Sequence, residues 1–146
     1  MPGMLLPVSL VTAGGLALIN LWLAVRVGQI RRAAKISVGD AGHEPLVRRM
    51  RAQANFVEYA PFALALIALI EFAQGPSLWL WLAAALFLIG RVLHALGMDG
   101  WSAGRAAGTV ITMLLLAGLA LYAIALPLLA RAHAPAPTTT ELTPTG

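Results

Sequence analysis

Arg51, Asn55 and Glu58 stand at i, i+4 and i+7. That spacing puts a guanidinium, an amide and a carboxylate on one stripe of a helix, with Glu58 about 10 Å further along the axis than Arg51. A second set follows in Arg91 and His94 at i and i+3, with Met98 at i+7, again on one helical face. Arg105 opens the next apolar run, and Asn20 and Arg31 share a stripe of the first. Several guanidinium groups around a single carboxylate complement a small ligand with more than one carboxylate and one amine, because arginine binds carboxylates bidentately. The residues leave simpler readings open: an internal Arg51 to Glu58 bridge that fixes packing, an Arg91 that extends to the membrane interface, and a His94 that only satisfies a bundle contact.

The elements that must position these groups are membrane helices. Of 146 residues, 60% are hydrophobic and 11% charged, against about 25% charged in a soluble domain, and the mean hydropathy is +0.82. Charge-free stretches run over 1–25, 72–90 and 106–130, each near or above the roughly 20 residues that cross a hydrocarbon core. A further candidate, 52–70, is interrupted by Gln53, Asn55 and Glu58, and reads as a helix whose polar residues face inward, since a charge near a membrane helix centre costs about 2.5 to 3.5 kcal/mol on insertion scales. The first segment lacks a basic leader region and is longer than a signal peptide's apolar core, so it reads as a helix that stays in the membrane.

The expected fold is thus an all-α bundle of four transmembrane helices over 4–34, 46–74, 77–98 and 103–130, forming one domain over 1–131. Gly75 and Pro76 punctuate the second connection, and Gly97, Asp99 and Gly100 the third. The stretch 132–146, rich in Pro and Thr, is expected to be disordered. Nine of the ten Lys and Arg residues fall around the first and third connections, which should make that side cytoplasmic and leave both termini on the other. High Ala, Leu and Arg usage with short connections points to a bacterial inner membrane.

Several function classes drop out. No cysteine is present, which excludes disulfides, thiolate metal sites and a protein thiol nucleophile, so any sulfur chemistry belongs to a ligand. The net charge of +4 comes without a basic face interleaved with exposed aromatics, so nucleic acid is not an expected partner. His43, His94 and His133 have no metal-ligand spacing.

The runs RAQANFVEYAPF (51–62) and FLIGRVLHALG (87–97), with GQIRR (28–32), resemble the MAPEG family, the membrane proteins of eicosanoid and glutathione metabolism, and look similar to its microsomal glutathione transferases, leukotriene synthases and prostaglandin E synthases. The resemblance implies a homotrimer of four-helix subunits that binds glutathione between neighbours near the cytoplasmic face. On it, Arg51, Asn55 and Glu58 hold the peptide with Tyr59 nearby, Arg31 reaches in from the adjacent subunit, and Arg91 and His94 line the cavity. Arg105 matches the catalytic arginine beside the thiol, where a guanidinium favours the nucleophilic thiolate. Met98 replaces a tyrosine of several family enzymes, Ala106 a serine of the prostaglandin synthases, and Ala54 an arginine of some members.

The function implied is that of a glutathione transferase or glutathione-dependent peroxidase acting on lipophilic electrophiles. The departures at Met98 and Ala106 motivate the alternative of a non-catalytic lipid-binding or scaffold subunit. A proton-coupled exporter working around Glu58 is a third reading, disfavoured by the cluster of arginines around that carboxylate.

Overall fold

The computed structural model describes residues 5–132. Four helices make up the fold: α1 (Pro7–Ala34), α2 (Glu44–Gln74), α3 (Leu78–Gly97) and α4 (Ser102–Ala132). Each is long and apolar enough to cross a bilayer, as the hydrophobic spans predict. Ala132 is still helical; the expected tail beyond it, like the expected Met4 start of the first helix, lies outside the described residues.

Local chemistry sets the ends. Pro7 opens α1, where its missing N–H is no loss. At the other end Lys35 takes a left-handed conformation, and its N–H and that of Ile36 bond to the carbonyls left open by the last turn. Helix α2 starts two residues before the expected position, because the His43 side chain accepts a hydrogen bond from the Leu46 N–H at 3.3 Å and Pro45 fits the first turn. Gly75 ends it at φ 80°, a conformation glycine adopts freely.

The four helices alternate in direction, so the α1–α2 and α3–α4 connections share one end, here the basic end. Helices α2 and α3 are central, and among the described residues the backbones of α1 and α4 do not approach each other closely. Buried apolar residues form two clusters. One surrounds Leu23, Phe56, Ala60 and Phe87; the other, nearer the opposite end, surrounds Val8, Ile67, Ile70, Leu80 and Leu119. Outward apolar residues such as Leu18, Phe62, Leu69, Leu114 and Leu121 are more than 60% exposed, as expected of surfaces solvated by acyl chains rather than water.

Small residues bring α3 and α4 together. A Cβ added at Gly108 would lie 2.5 Å from both the Gly90 carbonyl oxygen and the His94 backbone nitrogen, and one added at Gly97 would overlap the Arg105 backbone. Backbones this close are the usual result of small residues at membrane-helix crossings. The crossing fixes His94 and Arg105 relative to each other.

Polar ties pin both ends of the bundle. Away from the basic end, the buried Glu71 carboxylate at the end of α2 accepts the Val8 and Ser9 N–H groups, each at 2.8 Å, and the Ser9 hydroxyl at 2.6 Å. It caps the N-terminus of α1 from another helix. At the basic end Asp99, in the α3–α4 connection, pairs with Arg26 and Arg49, while Arg49 also donates to the Arg26 carbonyl at 3.0 Å and Arg26 stacks on the Trp22 ring.

Candidate functional site

The inward reading of the α2 polar stripe holds only in part. The buried side of α2 runs through Ala52, Phe56, Ala60, Ala63 and Ile67, and at 100° per residue Arg51 and Glu58 project roughly a third of a turn or more away from it. Both are exposed on the outer face of the single chain. They do not bridge: the ion pairs among the described residues are Arg26–Asp99, Arg49–Asp99 and Arg48–Glu44. Asn55 is half-buried, and its Oδ1 accepts a hydrogen bond from Arg91 at 2.8 Å.

Arg91 is the largest fully buried side chain and 1% exposed. Its guanidinium donates to Asn55 and, at 3.3 Å, to the Thr112 hydroxyl. The Phe56 ring lies 5.7 Å away, and Tyr59 is within electrostatic reach. Among the described residues no carboxylate pairs with it, and its Nε and the Nδ1 of buried His94 find no hydrogen-bond partner. A buried cation without an anion is costly in any low-dielectric setting. It marks a place where an acceptor from elsewhere would be stabilised.

His94 lies between the two arginines in electrostatic terms, within reach of Arg91 and of Arg105. Arg105 itself is exposed and lines a cavity of about 330 Å³ at the basic end, together with Glu44, Arg48, Met98 and Ser102. The structure therefore groups Asn55, Tyr59, Arg91 and His94 on one side and Arg105 with Met98 on the other, His94 being the nearest link. Arg51 and Glu58 stand on the outer surface beside the first group. Arg31 lies apart: it donates to the Gly39 carbonyl at 2.8 Å and contacts the Met50 sulfur in its own chain.

Three features were not found by sequence reasoning. Glu71 lies at the far end of α2, outside the stripe of Arg51, Asn55 and Glu58. Its signal was present: a lone carboxylate within an apolar helix end is expensive unless something donates to it. Thr112 supplies Arg91's second acceptor, but a hydroxyl in an apolar helix can also bond to its own backbone, as Thr112 does to the Gly108 carbonyl. Ser102 lines the cavity of Arg105 and carries a hydroxyl that Met98 and Ala106 lack. It stands outside the stripes formed by Arg51, Asn55 and Glu58 and by Arg91, His94 and Met98, so no spacing points to it.

An apolar groove of about 300 Å³ between α1 and α2 is lined by Leu16, Asn20, Phe56, Val57 and Pro61, among others. Asn20 meets Gln53 at 3.5 Å beside it. Val57 and Pro61 flank Glu58 along the chain, so an apolar surface borders the charged stripe.

The family model for MAPEG proteins matches residues 9–125, which takes in all the candidate residues and most of the four helices. The chain belongs to the MAPEG family, a four-helix membrane bundle, and so to the membrane proteins of glutathione or eicosanoid metabolism in general. No curated protein matches it.

Proposed function

We propose that this MAPEG chain binds glutathione at its basic end and acts as a glutathione transferase or glutathione-dependent peroxidase on lipophilic electrophiles, assembled as a homotrimer. The observation that carries the reading is Arg91, buried without a carboxylate partner next to Asn55 and Tyr59, with Arg51 and Glu58 exposed on the adjoining face. Ionised groups on a membrane helix are expected to face protein or water rather than acyl chains. A neighbouring copy covering this face would meet that need.

Glutathione has two carboxylates, one ammonium and a thiol, and the donor set fits it. Arg51 and Arg91 are suited to the carboxylates, Glu58 to the ammonium, and the Asn55 amide, whose oxygen is held by Arg91, to a carbonyl or carboxylate. Tyr59 and His94 complete the lining. Arg31 would join from the adjacent subunit by exchanging its contacts with Gly39 and Met50. Glutathione supplies the nucleophilic sulfur when bound, and Arg105 favours its thiolate form by placing a positive charge beside it, with Ser102 as a nearby hydroxyl. Lipophilic substrates would enter from the bilayer along the apolar groove. The excess of Lys and Arg favours the cytoplasmic side for the basic end, with both termini opposite, and the high Ala, Leu and Arg usage with short connections suits a bacterial inner membrane.

The test is a purified protein assayed with glutathione and either a chlorinated nitrobenzene or a lipid hydroperoxide. Turnover, a thiolate absorbance on binding, and loss of that absorbance in Arg105→Ala with glutathione still bound are the expected results. No turnover across a broad panel of electrophiles favours the second reading, a non-catalytic lipid-binding or scaffold subunit, for which Met98 in place of a hydroxyl donor at the Arg105 cavity speaks. That reading also expects an unshifted thiol and co-purification with a partner protein.

A further inference from the structure

Arg105 is exposed and pairs with no carboxylate among the described residues, although two carboxylates belong to its surroundings. Glu44 lines the same cavity and is taken by Arg48, whose Nε donates to it at 3.1 Å. Asp99 lies between Met98 and Gly100, which both line that cavity. It is also two residues from Gly97, where an added Cβ would overlap the Arg105 backbone. Two residues span at most about 7 Å of chain, inside the roughly 10 Å over which charges feel each other in dilute salt. Yet the Asp99 carboxylate is directed elsewhere: one oxygen pairs with Arg26, and the other accepts from the Arg49 Nε at 3.4 Å.

The two arginines that hold Asp99 are themselves held. Arg26 is buried on the inner side of α1, lies 4.6 Å from the centre of the Trp22 ring and donates to the Ala95 carbonyl at 3.3 Å. Arg49 is half-buried and donates to the Arg26 carbonyl at 3.0 Å. Two cations on one carboxylate exceed what neutralisation needs. Because they are already fixed, they bind Asp99 at less cost in rotamer freedom than the exposed Arg105 side chain would pay to do so.

We propose that Arg26 and Arg49 are positioning residues for Arg105: by holding the Asp99 carboxylate they keep it from pairing with Arg105 and leave that guanidinium open to an incoming anion. The charged and titratable groups around Arg105 are Glu44 and Arg48 from α2, His94 from α3 and Asp99 from the connection. With Glu44 on Arg48 and Asp99 on Arg26 and Arg49, neither carboxylate competes for it. An Arg105 paired with Asp99 would be neutralised and would lose its pull on a thiolate. That consequence rests on the proposed role of Arg105 beside the thiol; the sequestration of Asp99 does not.

Phenylglyoxal labelling of the full chain in detergent, followed at Arg105 by peptide mass spectrometry, tests the sequestration without glutathione. Arg105 should react at the same rate, within about twofold, in the unaltered chain and in Asp99→Asn. In Arg26→Gln/Arg49→Gln the released Asp99 should pair with Arg105 and slow its labelling about three- to fivefold, and adding Asp99→Asn should restore the original rate. Arg32→Gln/Lys35→Gln, which removes the same charge from that end away from Asp99, should leave the rate alone. If Arg26→Gln/Arg49→Gln does not fold, Arg49→Gln carries the same test at about a twofold effect. Unchanged labelling in the Arg49 variants, slow labelling that Asp99→Asn does not relieve, or faster labelling in Asp99→Asn alone would overturn the inference. With glutathione bound, the thiolate absorbance near neutral pH should fall about three- to tenfold in Arg26→Gln/Arg49→Gln and return on adding Asp99→Asn. Slowed labelling with an unmoved thiolate would overturn the link to the thiol, whereas the expected labelling in a chain that binds no glutathione would sink the proposed function and leave the sequestration standing.

Discussion

The two ends of the bundle treat their polar groups in opposite ways. Away from the basic end, Glu71 is buried and its two oxygens accept three hydrogen bonds from Val8 and Ser9, and Tyr122 donates to Gln74 at 2.7 Å. Toward the basic end, Arg91 and His94 are buried with a nitrogen each left unpartnered, and Arg51, Glu58 and Arg105 are exposed. Both regions place charge within long apolar helices, where charge is costly. One region completes its bonds within the chain and so holds structure; the other leaves them incomplete and so has capacity for something outside it.

The sharpest way to break this contrast is Glu71→Ala. It leaves two backbone N–H groups and a hydroxyl without an acceptor in a buried, apolar setting, and should lower stability by about 3 kcal/mol or more, read as the thermal midpoint in detergent. Glutathione affinity of the folded fraction should not change. A small loss of stability would mean that the cap is replaceable and that the two ends differ less than their bonding implies.

Gly108→Ala comes next, because its new methyl would press on the Gly90 and His94 backbones. Overpacking of this kind costs about 1 to 3 kcal/mol. The same thermal measurement reads it, and because the crossing places His94 and Arg105, ligand affinity should fall with stability. Asp99→Asn, which weakens the tie from the α3–α4 connection to Arg26 and Arg49, should cost about 1 kcal/mol, since one side of that network is open to water. The smallest effect on stability belongs to Arg51→Gln, expected within about 0.5 kcal/mol for an exposed and unpaired residue. Glutathione binding, followed by thermal shift, should nevertheless be lost or strongly weakened. If Arg51→Gln instead unfolds the protein, the exposed stripe is structural and the contrast fails.

The helices were legible because hydrophobic length and basic flanks are properties of the chain itself, and the C-terminal ends expected for the first three helices fall at or within one residue of the observed ones. The start of α2 was less so, since it depends on the His43 side chain turning back to Leu46. In the site, spacing correctly grouped Arg51, Asn55 and Glu58 on one stripe, but spacing cannot say which way the stripe faces. That depends on which neighbours Phe56 and Ala60 find across the bundle. The contact between Asn55 and Arg91 joins residues 36 positions apart, and no periodicity within one helix encodes it. The same holds for Glu71, whose partners are 62 and 63 positions away.

That distance also has a consequence for the order in which the chain is made. When α1 first leaves the ribosome, the amides of Val8 and Ser9 have no acceptor in the finished part of the chain, and the one they use in the bundle is not made until residue 71. The carboxylate in turn has no donors until it arrives beside them. Neither the leading end of the first segment nor the trailing end of the second is comfortable in lipid by itself, and each relieves the other. The first two segments are thus matched as a hairpin, closed at one end by a carboxylate that each needs the other to satisfy.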